Sequence, residues 1–233
     1  MSSLPELRID FCSHEAAKYA VERWHYSKRM PSTYTKPVTM GVWEDGSFIG
    51  TVIYSMSSSK DLGRQYGFTQ FERCELIRVA LRPEHKNPVS RVISISIKML
   101  KRQSPGICVI FSFADTAQGH HGGIYQAGGW RYLGKSAATS EYMINGRKWH
   151  GRAVAASFGH TSGFVKVPGS SKHRYAYPLN SEAAEKIRSF ELPYPAPEPS
   201  ARASEDIPTI IRQTTATGAA APHWNFIQNL LGC

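Results

Sequence analysis

The stretch CELIRVALRPEHKNPVSRVISISIKMLKR, residues 74–102, decides the fold class. Its first part, residues 74–81, is almost continuously apolar, which is typical of a strand covered on both faces of a sheet. A polar turn at residues 82–88 separates it from residues 89–102, where apolar side chains recur at helical spacing. The stretch therefore predicts a central strand, a turn and a helix of an α/β domain.

The flanking sequence extends this pattern in both directions. Before it we predict a strand at 7–12, a helix that Ser13 caps and that ends near 25–27, and hairpin strands at 38–43 and 48–54. After it we predict a strand at 108–114, a short helix opened by the glycine-rich residues 119–123, and short strands between 130 and 177. This is the element order of the GNAT acyltransferase fold. We therefore predict an α/β (α+β) fold, GNAT acyltransferase-like, with a mixed central sheet flanked by helices and a flexible C-terminal tail.

The composition changes near the C-terminus. Residues 1–192 are expected to form the catalytic domain, whereas residues 193–233 are rich in Pro, Ala and Thr and cannot bury enough apolar surface to fold alone. The last apolar residues, 223–231, could dock on another surface.

The charge of the chain points to an acidic partner. The formal net charge is +10, and the tail from Pro195 onward contributes −1, so that the remaining body carries +11. A folded body this basic favours a polyanion, above all nucleic acid, over the alternative of a generically basic soluble protein.

The same composition predicts a cytoplasmic protein. The four cysteines are scattered without metal-ligand spacing, the N-terminus lacks the pattern of a secretory signal, and no apolar run is long enough to cross a membrane.

The turn before the second predicted helix is a candidate anion site. Asn87 is expected to cap the helix, Pro88 to take its first position, and Ser90 to add a hydroxyl between the cations Lys86 and Arg91. The spaced glycines that usually approach a pyrophosphate here are missing, and an ordinary capped helix is the alternative.

Two residues at element ends could carry chemistry. His25, at the end of the first helix, could act as a base, bind a metal, or simply interact with the helix dipole. Asp115 directly follows an apolar strand, where it could be a base, a metal ligand or the cap of the next turn. His120 and His121 are adjacent, so their side chains diverge and do not by themselves make a metal pair.

A charged residue interrupts the central strand. Arg78 needs a partner, and Glu75 lies three residues earlier. Because residues three apart on a regular strand point to opposite faces, we expect Arg78 to meet an anion rather than Glu75. Tyr125, in the glycine-rich segment, could transfer a proton or merely pack.

Two strings, RWHYSKRMP at 23–31 and FADTAQGHHGGIYQAGGW at 113–130, resemble the Mom family of phage DNA-modification proteins. Shorter matches lie at 75–79, 87–91 and 172–179, and the resemblance covers about residues 9–179. It implies a GNAT-like enzyme that converts the N6 amino group of adenine in double-stranded DNA to a carbamoylmethyl (acetamido-type) derivative, protecting phage DNA from host restriction. The resemblance also implies acetyl-CoA or a related acyl-CoA as the donor and a ferrous ion as a cofactor. It implies the host cell cytoplasm as the location of the protein.

The resemblance also suggests residue roles. His25, Tyr26, Asp115 and Tyr125 would be catalytic, with His25 and Asp115 as ligands of Fe²⁺ or as a proton-transfer pair. The coenzyme A-type donor would be held by Arg78, Asn87, Ser90 and Arg91.

Access to the base requires that adenine is flipped out of the duplex. Trp24, Tyr34 and Trp130 are candidates to stack on it, and phosphate contacts are expected from Lys28, Arg29, Lys60, Arg64 and Arg73. A homodimer is one expected assembly. The alternatives are an N-acetyltransferase acting on a small amine or protein, and a basic DNA-binding protein without catalysis.

Overall fold

A mixed sheet of seven strands forms the centre of the protein in the computed structural model, which describes residues 3–31, 37–57, 59, 61–138 and 140–196. The elements in chain order are β1 Leu7–Phe11, α1 His14–Trp24, β2 Val38–Glu44, β3 Ser47–Ser55, β4 Arg73–Leu81, α2 Val89–Gln103, β5 Val109–Asp115, α3 Gly123–Ala127, β6 Arg131–Lys135, β7 Ser140–Ile144, β8 Arg147–His150, α4 Gly151–Phe158, β9 Val165–Pro168, β10 Lys172–Pro178 and α5 Ser181–Arg188. The central sheet has the order β1-β2-β3-β4-β5-β10-β6. The predicted α/β class and the predicted element order are thus confirmed.

The middle of this sheet opens between β4 and β5. These two strands are parallel neighbours over three residue pairs, from Arg73 with Val109 to Glu75 with Phe111. Beyond that point the recorded pairs of β4 are with β3, and those of β5 are with β10. The two strands therefore part and leave a gap at their carboxyl ends, where open α/β sheets usually bind ligands.

Helices cover both faces of the sheet. On one face α1 buries Ala17, Ala20 and Val21 against Ile53 and Ala80. On the opposite face the apolar side chains of α2 pack into the main core with residues of β3, β4 and β5. The C-terminal α5, which the sequence did not predict, packs beside Val109 and Phe111.

Several local predictions are also confirmed. The Ser13 Oγ accepts a hydrogen bond from the Ala16 N–H at 3.2 Å and so caps α1. Asp45 and Gly46 both have positive φ, at 46° and 76°, which is the backbone of a tight hairpin turn between β2 and β3.

A second, smaller sheet is inserted between β6 and β10. It has the order β8-β7-β9 and carries α4. The sequence predicted short strands in this region but not that they form a separate sheet.

The predicted tail begins in contact with the domain. The Tyr194 hydroxyl donates to the Trp130 carbonyl at 2.8 Å, and Gln126 Nε2 donates to the Pro195 carbonyl at 3.3 Å. Residues 197–233 lie outside the described residues, and the boundary at 192 stays a prediction. Within the described part, no helix is both long and apolar enough to cross a membrane.

Candidate active site

A cavity of about 720 Å³ lies in the gap between β4 and β5, beside the end of α1 and the glycine-rich segment. It brings together the predicted Trp24, His25, Tyr26, Arg78 and Tyr125. It also adds residues that were given no role in the site from the sequence: Glu75, His120, His121 and Lys172. The cavity therefore unites the separate family strings in one place.

Glu75 and Arg78 both line this cavity, contrary to the sequence prediction that they face apart. The register between β3 and β4 shifts, because Ile53 pairs with Arg78 whereas the next residue, Tyr54, pairs with Leu76. The extra residue, Ile77, is a β-bulge that reverses the alternation of side chains after it. Because of this bulge, Glu75 and Arg78 point to the same side of the strand although they are three residues apart.

Arg78 is a half-buried cation in the lining of the cavity. Its Nη1 donates to the Ile77 carbonyl at 2.7 Å, but its buried Nε has no hydrogen-bond partner among the described residues. Burial lowers the pKa of this guanidinium, and the nearby Tyr26 and Glu75 partly offset this decrease. A buried donor without a partner is suited to an oxygen atom of a ligand.

His25 is held in one tautomer. Its Nδ1 accepts a hydrogen bond from the Ser27 backbone N–H at 3.1 Å and lies 2.8 Å from the Ser27 Oγ. Burial, together with Arg78, His120 and Lys28, lowers the pKa of His25 to about 4. The ring is therefore neutral near pH 7 and carries its proton on Nε2. It offers an N–H donor rather than a basic lone pair.

The two tyrosines differ in exposure. Tyr26 is 51% exposed, packs at a tilt against His25 with ring centroids 4.3 Å apart, and meets the His120 ring edge-on. Tyr125 is buried and hydrogen-bonded to Ser112 at 2.8 Å, and burial raises the pKa of its hydroxyl to about 12. Tyr26 is thus an accessible aromatic face, and Tyr125 is a neutral phenol.

Gly122 positions this wall of the cavity. Its φ is +89°, and a Cβ atom there would lie 2.3 Å from the Tyr175 ring. Only glycine permits both the left-handed backbone and this close approach.

Asp115 lies next to the cavity rather than in its lining. Its Oδ1 accepts from the Ala117 N–H at 3.0 Å and caps a short 3-10 turn, while its Oδ2 is 3.7 Å from the Lys172 Nζ. The structure therefore shows the capping role that the sequence left open. Its charge helps to raise the pKa of Tyr26, after the larger effect of burial.

The residues here do not fit the expected ferrous ion. Over the described part of the chain, no group of three or more His, Cys, Asp or Glu is placed to hold a metal. The Nε2 of His25 carries a proton because Ser27 donates to Nδ1, and Arg78 and Lys28 oppose a further cation nearby. The metal role predicted for His25 and Asp115 is therefore unsupported.

The predicted donor turn already holds a carboxylate of the chain itself. Glu44 is only 6% exposed, and its oxygens accept from the Lys86 N–H at 3.0 Å, the Asn87 N–H at 2.7 Å and the Asn87 Nδ2 at 2.9 Å. Burial by itself raises the pKa of Glu44, but these hydrogen bonds outweigh it and leave the pKa below its usual value. Glu44 thus takes the backbone donors that an anionic ligand would need.

Asn87 consequently does not cap α2, and this prediction was wrong. The helix begins at Val89 with Pro88 in the capping position and without a side-chain cap. Asn87 is fully buried, and its Oδ1 accepts from the Arg91 Nη1 at 2.8 Å. Ser90 is partly exposed and Arg91 is exposed, but neither lines the cavity.

The predicted DNA contacts are only partly accessible. Lys28 and Arg29 are exposed beside the cavity residue Tyr26, and Arg64 is exposed in an ion pair with Asp61 at 3.0 Å. Two further predictions were wrong, since Trp130 is fully buried and Arg73 is 2% exposed. Lys60 and Tyr34 lie outside the described residues.

Comparison with known proteins gives a family match over most of the chain. Residues 6–196 match the family described as the Mom protein family. A curated relative, "Methylcarbamoylase mom" of Escherichia phage Mu, is 27% identical over 148 residues, which are 62% of this chain and 60% of that protein. The chain therefore spans about 60% of the length of the curated relative it matches.

Solved structures with some similarity are acetyltransferases. One is a Bacillus subtilis acetyltransferase in complex with CoA, with a TM-score of 0.46 and 12% identity over 75% of this chain and 100% of that chain. Another is a putative acetyltransferase from Salmonella typhimurium with acetyl-CoA, with a TM-score of 0.45 and 12% identity over 75% of this chain and 95% of that chain. The element order and the sheet topology by themselves establish the α/β fold.

Proposed function

The chain belongs to the Mom protein family, and on that premise we propose that it is a transferase that modifies DNA. Its target is the N6 amino group of adenine in double-stranded DNA, and its product is the carbamoylmethyl derivative, which protects phage DNA from host restriction. The single observation that carries this proposal is the cavity between β4 and β5. The whole lining of this cavity falls within the family match and joins aromatic, cationic and acidic side chains.

The size and lining of the cavity suit an extruded base. Its volume of about 720 Å³ lies within the roughly 300–1,000 Å³ of typical small-molecule sites. Tyr26 presents an exposed aromatic face, and Trp24 lines the same wall. A base flipped out of the duplex would stack on these rings, with Lys28 and Arg29 near the flanking phosphates.

The cavity residues also suit transfer to a weak nucleophile. The step needs a carbamoylmethyl donor that carries its leaving group on the methylene carbon. The bond from N6 to that carbon forms as the bond to the leaving group breaks, the leaving group departs with the electron pair, and one N6 proton is released. Glu75 is the carboxylate in the lining and is our candidate to accept that proton. The unpaired Nε of Arg78 and the Nε2–H of His25 are donors that would orient the carbonyl oxygen of the incoming group.

The remaining site residues support this arrangement. Tyr125, a neutral phenol at pH 7, would donate a hydrogen bond rather than accept a proton. Asp115 would position Lys172 through their ion pair and would hold the adjacent turn through its hydrogen bond from the Ala117 N–H. None of these steps involves iron, because the residues do not fit it.

A coenzyme A-type donor fits this step only with its sulfur bonded to the methylene carbon, because an acyl-CoA would transfer its carbonyl carbon and give an amide; its contacts are also fewer than expected. Glu44 occupies the amides of Lys86 and Asn87, and Pro88 has no N–H. Ser90 and Arg91, together with the first amides of α2, are left for the phosphates, and no step above depends on this donor.

Nucleoside mass analysis of DNA from a bacterial host that expresses the chain tests the proposal. We expect a deoxyadenosine in which CH₂CONH₂ replaces one N6 hydrogen, DNA resistant to restriction at adenine-containing sites, and loss of both in Glu75→Gln. Glu22→Gln, an exposed position on α1, is the matched control and should behave as the wild type.

The rivals give different results in the same experiment. Unmodified DNA with acetylated small amines or proteins would identify an N-acetyltransferase. Unmodified DNA that the purified chain nevertheless binds tightly would identify a DNA-binding protein without catalysis.

A further inference from the structure

The inserted sheet is a separate basic feature outside the cavity. Residues 137–171, which we call the arm, contain four cationic side chains and one acidic one, a net formal charge of +3. Three of these cations, Arg147, Lys148 and Lys166, are exposed, and none of the three forms an ion pair within the described residues. Their charge is therefore available to a partner.

The arm has a small core of its own that holds its shape. Val154 of α4 is fully buried, and the Phe158 ring lies 6.1 Å from Trp149 and 4.9 Å from Phe164. A Cβ atom on Gly151 would meet the Tyr142 ring at 3.2 Å, so the helix start sits directly on the sheet. The cations are thus carried by a packed structural unit.

The tip of the arm is a tight hairpin. Asn145 and Gly146, between β7 and β8, have φ of 51° and 72°, the backbone of a two-residue type I′ turn. Arg147 and Lys148 follow this turn directly, and Lys166 pairs with Tyr142 from the outer strand β9. The tip of this three-stranded sheet thus carries Arg147 and Lys148, and Lys166 lies on the same face as Arg147.

The root of the arm lies at the rim of the cavity. The Ser136 N–H donates to the Lys172 carbonyl at 2.8 Å, and the Lys172 N–H donates to the Ser136 Oγ at 3.0 Å. The chain therefore leaves and re-enters the central sheet at one point, and Lys172 at that point lines the cavity. From there the hairpin reaches roughly 15–20 Å at the rise of a β-strand, which is about half a turn of duplex DNA.

We propose that the arm is a DNA-binding element that grips the sugar-phosphate backbone of the duplex beside the adenine held in the cavity. This inference rests on the proposed function, because it takes duplex DNA as the substrate. Duplex DNA is favoured by the cationic tip, by the scarcity of acidic residues in the arm, and by its attachment at the cavity rim. The arm thus supplies contacts additional to Lys28 and Arg29.

Salt-dependent binding tests the arm. The purified full chain is titrated onto a fluorescent adenine-containing duplex at several KCl concentrations, and the slope of log K against log salt is compared with that of R147Q/K148Q/K166Q. Each lost phosphate contact reduces the slope by about 0.9, so we expect a reduction of about 1.8 from Arg147 and Lys166, which share a face of the sheet, and of no more than about 2.7 in all. K18Q/K98Q/R102Q removes the same formal charge from exposed positions on α1 and α2 and should keep the wild-type slope.

The outcomes separate the inference from the proposed function. If the wild type binds and modifies DNA but the arm variant keeps its slope, the arm is not a DNA contact. If the control loses as much slope as the arm variant, the effect is one of net charge and the inference is also overturned. If the wild type neither binds the duplex nor modifies DNA in cells, the proposed function itself fails.

Discussion

Replacing Glu44 by alanine tests whether this carboxylate stands where an anionic ligand would bind. The substitution removes the acceptor of three hydrogen bonds, from the backbone N–H groups of Lys86 and Asn87 and from the Asn87 side chain. The turn keeps its sequence otherwise, so the amides that precede α2 lose their partner without a change in the helix itself.

The expected loss follows from these contacts. A buried donor left unpaired costs about 1–3 kcal/mol, so two backbone donors give about 2–6 kcal/mol. For a domain of this size each kcal/mol lowers Tm by about 2–4 °C, which predicts a fall of roughly 4–24 °C. Because the folded pKa of Glu44 lies below its usual value, this stabilisation is present above about pH 4.5 and is lost as the pH falls further.

Thermal unfolding in the presence and absence of inorganic phosphate is the assay. At about 10 mM phosphate, binding with a Kd near 2 mM would raise the free energy of unfolding of Glu44→Ala by about 1 kcal/mol. In the wild type Glu44 already occupies these amides, so phosphate should raise its free energy of unfolding less. Glu84→Ala, at an exposed position in the same turn, is the control. This prediction is refuted if Glu44→Ala has the same Tm as Glu84→Ala, or if phosphate stabilises Glu44→Ala no more than it stabilises the wild type.

Three further predictions concern the cavity. Arg78→Gln should lower the rate of adenine modification by about 10²-fold while DNA binding changes little, since it removes a donor that would orient the carbonyl oxygen of the incoming group; single-turnover assays beside duplex titrations would check this, and an unchanged rate would count against it. Gly122→Ala should lower Tm by several degrees because it combines positive φ with a clash against Tyr175. Gly119→Ala also has positive φ, but no atom of the described residues lies within 4 Å of the new Cβ, so it should lower Tm less. Equal melting of the two variants would show that the clash is relieved. His25, with its pKa lowered to about 4, should add stability above pH 6.5 that declines as the pH falls toward 4, and His25→Asn should flatten this part of a Tm profile against pH.

The order of elements was predictable because it depends on local signals. The apolar run of β4, the helical spacing of α2, the Ser13 cap and the Asp45-Gly46 turn each act over a few residues. Patterns of this kind survive packing, since the sheet and the helices bury the faces that the periodicity marks.

The errors arose where distant residues decide local structure. Asn87 looks like a helix cap, yet Glu44, 43 positions earlier, captures it. The bulge at Ile77 arises from pairing with β3 and places Glu75 in the cavity with Arg78. Neither the partner of Asn87 nor the register shift is encoded in a neighbouring residue, so single-sequence reasoning could not supply them.

The junction of Ser136 with Lys172 makes the arm separable from the rest of the chain. Lys135 and His173 are already paired across β6 and β10, so a two-residue Asn-Gly turn from Ser136 to Lys172 would join these strands as an ordinary hairpin. The strand pairing of the central sheet uses none of residues 137–171, and the Ser171 carbonyl, which accepts from the Thr116 N–H and Oγ1, is the contact that a graft would have to replace. In engineering terms the segment is an exchangeable cassette, and inserts of different length or charge could be grafted at the same point without moving the strands that hold the cavity.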